Sequence, residues 1–150
     1  MMSNKKIGAI ENGINLDHIP QGNAWYIIRL LKLERKYPVG VGLNLVSKRL
    51  GVKDLVKVEN YFLTESQLKA VSLFAPGATY SEIRDFEVVR KVQLTLPDII
   101  EDLIVCPNHR CISHQYRSLF KLHSTNEHSI AQCHYCEHHF DLDVLKEFNL

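Results

Sequence analysis

Cys106, Cys111, Cys133 and Cys136 are the only cysteines in this chain, and all four fall in its last third. They stand in CPNHRC and CHYC, a Cys-x4-Cys and a Cys-x2-Cys separated by 21 residues. Two close pairs, each on a tight turn, can bring four thiolates to tetrahedral positions about 2.3 Å from one zinc ion. A segment of roughly 50 residues buries too little apolar surface to fold alone, and a bound metal supplies the missing stability. Two local disulfides or inert thiols are the other reading, which suits neither a reducing compartment nor the pairing. Four sulfur ligands leave no open coordination position, so the expected zinc is structural, not catalytic. The His-x-Glu and Pro-Cys-x-x-Cys signature of the zinc deaminases is also missing from the sequence. Seven of the eight histidines crowd into the same region: His109, His114, His123, His128, His134, His138 and His139. They read as solvated surface, with a second, weaker metal site at the EHH stretch as the alternative.

A module of this kind suggests nucleic-acid binding, and charge argues against it. From Cys106 onward Arg110, Arg117, Lys121 and Lys146 face Glu127, Glu137, Asp141, Asp143 and Glu147, a net charge of −1. That sign is wrong for gripping a phosphate backbone. The whole chain of 150 residues carries +1, so no overall field draws it to nucleic acid or to anionic lipid. Hydrophobic residues make up 45% and charged residues 23%, the balance of a soluble globular protein. No apolar run approaches the roughly 20 residues of a spanning helix. The start, MMSNKK, runs into a stretch too polar for a signal peptide. The expected compartment is the cytoplasm.

Before the cysteines, the pattern alternates between the periods of strand and helix. IGAIENGINLDHI opens as a strand interrupted by a turn at ENG. GNAWYIIRLLKLE places Ala24, Ile27 or Ile28, and Leu31 at helical spacing. VGVGLNL alternates, which puts Val39, Val41, Leu43 and Leu45 on one face of a strand. KDLVKVENYF alternates again. A second helix opens at Thr64, with Gln67 completing a capping box; Leu68, Val71 and Ala75 form its stripe, and APG ends it. TYSEIRDFEVVRKV supplies a final strand or strand pair. Strand, helix, strand, strand, helix, strand is the split βαβ, ferredoxin-like order of an α+β fold. Pro97, in LTLPDIIED, marks a break between a domain of residues 1–96 and a small β-rich zinc-binding domain of residues 97–150.

Two features of the first domain carry possible chemistry. Asp17 and His18 are adjacent, in GINLDHIP, and suit a catalytic pair, a metal-ligand pair or a polar-ligand contact. In KDLVKVEN, Lys53, Leu55, Lys57 and Glu59 project from one face and Val56 and Val58 from the other. The two lysines stand about 13 Å apart and suit phosphate, with Lys91 following the last strand. The wet side of a half-exposed strand is the plainer reading. No Walker or Rossmann glycine signature is present.

Taken together, LDHIP, GLNL, KDLVKVEN, FAPGAT, CPN with CISH, and CHYCE make the chain resemble the regulatory chain family of bacterial and archaeal aspartate carbamoyltransferase. The six stretches keep the family order and cover almost the whole chain. The resemblance implies a non-catalytic subunit in pyrimidine biosynthesis whose first domain binds the effectors CTP and ATP, with UTP in some members. It implies that the zinc domain docks on the catalytic chain, and that regulatory dimers join catalytic trimers into a dodecamer. Carried over, Asp17 meets the ribose, His18 the phosphates and Lys57 the base and sugar. Lys53 and Lys91 approach the triphosphate, with Ser81 at the same end. Ile7, Ala9 and Ile10 line the base pocket, and Leu55, Ile83, Phe86 and Val88 complete its walls. Cys106, Cys111, Cys133 and Cys136 are the zinc ligands, and Asn108, Arg110, Tyr135 and Glu137 lie on the docking turns. Phe86 stands where a Tyr is common, Ser81 where Asn is usual, and Arg110 replaces the second Asn of CPNxNC. The competing readings are a zinc-ribbon nucleic-acid binder and an enzyme built on Asp17 and His18.

Overall fold

The computed structural model describes residues 9–124 and 129–149; Ile7 and His128 lie outside them, as does Glu127. The chain divides into two compact units between Leu96 and Pro97.

The first unit is a five-stranded antiparallel sheet with two helices. β1 (Gly13–Pro20) leads to α1 (Ala24–Leu30), then to β2 (Val39–Ser47) and β3 (Gly51–Glu59). α2 (Glu65–Phe74) follows, and β4 (Thr79–Arg84) and β5 (Glu87–Gln93) close the unit as a strand pair. The order across the sheet is β2-β3-β1-β4-β5, so each of the crossovers through α1 and α2 skips one strand. That is the split βαβ arrangement, extended by β5.

Ile14 and Leu16 of β1, Val56 and Val58 of β3 and Tyr80 of β4 share one face and are fully buried. Ala24, Ile27, Leu68 and Val71 from the helices are buried as well. α2 begins as its sequence requires: the Thr64 side chain accepts from the Gln67 amide and Gln67 Oε1 accepts from the Thr64 amide. α1 has no side-chain cap of its own. Asp54, fully buried on β3, accepts instead from the amides of Gly22 and Ala24.

The expected alternation of β2 fails at one point. Val39 and Val41 pair with Val58 and Val56 on the helix side, but the register shifts between Gly42 and Leu45. Asn44 sits there in the left-handed region, and its amide donates to Asp54 Oδ1 at 3.2 Å. The extra residue turns Leu45 to face Lys53 on the opposite side and leaves Leu43 exposed. β1 carries a matching bulge, where the register shifts between Leu16 and Ile19 around Asp17 and a left-handed His18.

The second unit is a four-stranded antiparallel sheet, β6 (Ile99–Glu101), β7 (Leu119–Ser124), β8 (Ser129–Cys133) and β9 (His139–Asp141), in that order. Ile100, Phe120 and Ala131 fill its centre. The sequence pattern did not suggest the terminal helix α3 (Leu142–Asn149), which buries Leu142 and Leu145. Asn149 returns to the backbone of Val105, accepting from its amide at 2.6 Å.

Gly13, with φ at +147°, crosses β3 so closely that an added Cβ would stand 2.1 Å from the Val58 carbonyl oxygen. Gly13→Ala should destabilise the first unit by about 2 kcal/mol or more, read as a lowered thermal midpoint.

Candidate metal centre and polar sheet face

The four sulfurs of the second unit come from two turns and one strand end. Cys106 and Cys111 bracket a turn closed by the Cys111 amide on the Asn108 carbonyl at 3.0 Å. Cys133 ends β8, and Cys136 follows in a turn closed by the Glu137 amide on the Cys133 carbonyl at 2.9 Å, with Glu137 left-handed. All four Sγ atoms lie within 4.8 Å of one another; Cys106 and Cys136 are 3.8 Å apart, Cys111 and Cys133 3.6 Å. A tetrahedron with zinc–sulfur distances near 2.3 Å has edges of about 3.8 Å, so the donor set fits one zinc. All four are free thiols. Burial pushes the Cys106 and Cys133 thiols up. Burial pushes Cys136 up as well, but hydrogen bonds from the His138 amide and side chain, the Asn108 side chain and Cys133 together outweigh it and bring it down to about 6.

Among the described residues this is the one group of three or more donors that could hold a metal, so EHH contributes no second site there. His109, His114, His123, His134, His138 and His139 are exposed. Arg110, Tyr135 and Glu137 are exposed on the two sulfur turns. Asn108 is committed within its turn: its carbonyl meets His114 Nε2 at 2.8 Å and its Oδ1 accepts from the Arg110 amide.

In the first unit, the sheet face opposite Ile14, Leu16 and Val56 gathers most of the polar candidates. Strand pairing sets Gly40, Lys57, Asn15, Ser81 and Lys91 in one row across all five strands. Lys91 therefore lies inside β5, not beyond its end. Lys53 and Lys57 are each only 7% exposed, which excludes the wet side of a half-exposed strand. The β1 bulge delivers Asp17 to Lys53, with Oδ1 2.7 Å from Nζ. The same oxygen accepts from the His18 amide at 2.6 Å, and His18 Nδ1 meets Thr79 Oγ1 at 3.2 Å.

Burial alone would raise the Asp17 carboxyl; hydrogen bonds from Lys53 and the His18 amide hold it below its ordinary 3.8. Burial pulls His18 below 6.5, with Asp17 resisting and Lys53, Arg49 and Lys91 adding to the shift. Burial also lowers Lys57, again against Asp17. Leu55 and Ile10 are buried and Ile83 half-buried, whereas Ala9, Phe86 and Val88 are exposed. Arg49, whose guanidinium donates to the Gly77 carbonyl, Thr79 and Asn15 join this surroundings without a signal in the strand alternation. Their positions follow from pairing between strands distant in sequence.

Comparison with known proteins places both units. Residues 5–95 match the family described as aspartate carbamoyltransferase regulatory chain, allosteric domain; residues 98–146 match the metal binding domain of the same chain. The aspartate carbamoyltransferase regulatory chain of Chromobacterium violaceum is 45% identical over 150 residues, spanning 98% of this chain and 99% of the relative. That of Tolumonas auensis is 46% identical over 152 residues, spanning 97% and 99%, and that of Photorhabdus laumondii 43% over 143 residues, spanning 93% of each.

Two outcomes follow from this geometry. Chelating the zinc should unfold β6 to β9 and leave the five-stranded sheet intact, as amide exchange resolved by residue would read. Asp17→Asn should strand the Lys53 ammonium and cost roughly 2 kcal/mol at pH 7. Because folding depresses the Asp17 value, the contribution is present at neutral pH and lost as pH falls through that value, below 3.8. Thermal midpoints of the two proteins should therefore converge in acid.

Proposed function

The chain belongs to the family of aspartate carbamoyltransferase regulatory chains, and from that premise we propose that its polar sheet face holds nucleoside triphosphate effectors. It is a non-catalytic subunit with an allosteric unit and a metal-binding unit built for one structural zinc. CTP and ATP are the proposed effectors, with UTP as a third. The observation that carries the reading is the pair of lysines at 7% exposure, Lys53 and Lys57, on the face that also bears Asp17 and His18.

Lys53, Lys91 and His18 hold the triphosphate, with Ser81 beside them. Lys57 reaches base and sugar, and Asp17 accepts from the ribose. Leu55, Ile10 and Ile83 supply apolar wall; Ile7, Ala9, Phe86 and Val88 close the base side. As phosphate approaches, Lys53 exchanges part of its pairing with Asp17 for pairing with the ligand, and this frees Asp17 for a hydroxyl group. An effector alters the enzyme only through different affinities for its two quaternary states. Purine and pyrimidine triphosphates share the phosphate contacts, so any opposed effects of ATP and CTP arise at the base end.

The zinc unit docks on the catalytic chain through Asn108, Arg110, Tyr135 and Glu137. Zinc closes both turns at once and so fixes the spacing of these residues; the metal supplies structure there and no chemistry. Regulatory dimers then join catalytic trimers into a dodecamer in the cytoplasm. A nucleic-acid role is not favoured, given the −1 charge of the zinc segment. No described helix is long and apolar enough to cross a membrane.

Calorimetric titration of the zinc-loaded chain with CTP, with ATP as competitor, should give one shared saturable site; absence of competition would overturn the reading. Lys57→Ala should weaken both nucleotides about tenfold and leave assembly with catalytic trimers unchanged. His18 is held below 6.5 in the free chain, and a triphosphate favours its charged form. Binding should therefore take up a proton and tighten as pH falls from about 7.5 to about 6.

A further inference from the structure

Asn15 stands mid-row on β1, with Lys57 opposite it on β3 and Ser81 opposite it on β4. Among the described residues its Oδ1 is the one buried side-chain oxygen or nitrogen with no hydrogen-bond partner. Asparagine is a poor strand former, and this one caps no helix and sits in no turn. A buried acceptor left unmade costs stability, and a valine or threonine would suit the strand better. The neighbours of Asn15, Lys57 and Ser81, are each 7% exposed, so the orphan oxygen lies between two buried members of a polar row whose outer end, Lys91, is exposed.

We propose that Asn15 is a specificity-determining residue whose Oδ1 accepts a hydrogen bond from the nucleoside part of the effector. The proposal rests on the effector reading above. It follows from complementarity of donor and acceptor. Phosphate oxygens at neutral pH are acceptors, so they satisfy the lysines and leave an amide oxygen unmatched. Ribose hydroxyls and the exocyclic amino groups of adenine and cytosine are donors. Asn15 thus distinguishes a nucleotide from bare phosphate, and its idle acceptor in the free chain is the cost of that discrimination.

The test uses the zinc-loaded full chain and two variants, Asn15→Val and Asn15→Ala, with ATP, CTP and inorganic tripolyphosphate as probes. Removing an orphan acceptor should leave the ligand-free thermal midpoint of Asn15→Val unchanged or raised. Affinity for ATP and CTP should fall about tenfold, and tripolyphosphate affinity should stay as in the wild type. 2′-deoxy-ATP, 3′-deoxy-ATP and the triphosphate of purine riboside, which lacks the amino group, separate the three donors. The analogue that lacks the contacting donor binds the wild type more weakly and is insensitive to the substitution. Wild-type ATP and CTP affinity in both variants would overturn the role of Asn15 and leave the effector site standing. Parallel loss of tripolyphosphate would overturn it too, by assigning the side chain to phosphate. Failure of the wild type to bind either nucleotide would overturn both readings.

Discussion

An ammonium group nearly out of water is unfavourable unless an anion meets it, and the first unit is arranged around that constraint. Lys53 lies on β3, an internal strand at 7% exposure, and its partner Asp17 belongs to β1. Pairing continued without a break from Leu16 opposite Val56 would set Ile19 opposite Lys53; the extra residue moves the register on by one, and Pro20 stands there instead. Within that bulge, at Asp17–His18, the carboxylate meets the ammonium. The same bulge puts His18 in the left-handed region and turns its amide onto the carboxylate. The ion pair, the bulge and the left-handed His18 thus occur together, and Lys53 and the His18 amide jointly depress the acidity of Asp17.

On the opposite face of β3, Asp54 answers a similar demand. It is fully buried and accepts three amides: Gly22 and Ala24 at the start of α1, and Asn44 in the β2 bulge. Asp54 and Lys53 are neighbours in sequence, so β3 sends an anion to one side of the sheet and a cation to the other. Each is matched by a distortion in an adjacent strand. The two bulges are thus the backbone response to a charged dipeptide placed inside a sheet.

Sequence pattern recovered what depends on near neighbours. The Thr64–Gln67 box, the Ala24–Ile27 stripe and the two cysteine turns are legible because their partners lie three to five residues away. The row through Lys57, Asn15, Ser81 and Lys91 was legible only in pieces, because strand pairing sets Asn15 beside residues far along the chain, Lys57 on one side and Ser81 on the other. Strict alternation misplaced Leu43 and Leu45, since nothing in VGVGLNL announces that Asn44 will be drawn to an aspartate on the next strand. The stretch after β9 passed without notice as helix because only Leu142 and Leu145 mark its buried side, and its last contact, Asn149 with Val105, spans the whole unit.

The strand order carries a kinetic meaning. β1 has no local partner: both of its neighbours, β3 and β4, lie beyond α1 and β2 in the chain, whereas β2–β3 and β4–β5 are hairpins. Closing long loops is entropically slower than closing short ones, so the two hairpins can form early and β1 enters between them to complete the sheet. Asn15 and Asp17 arrive with it. Until then, Lys53 is without the Asp17 carboxylate and the row through Lys57, Ser81 and Lys91 has its middle missing, so the earliest-made strand is the one that completes the polar face.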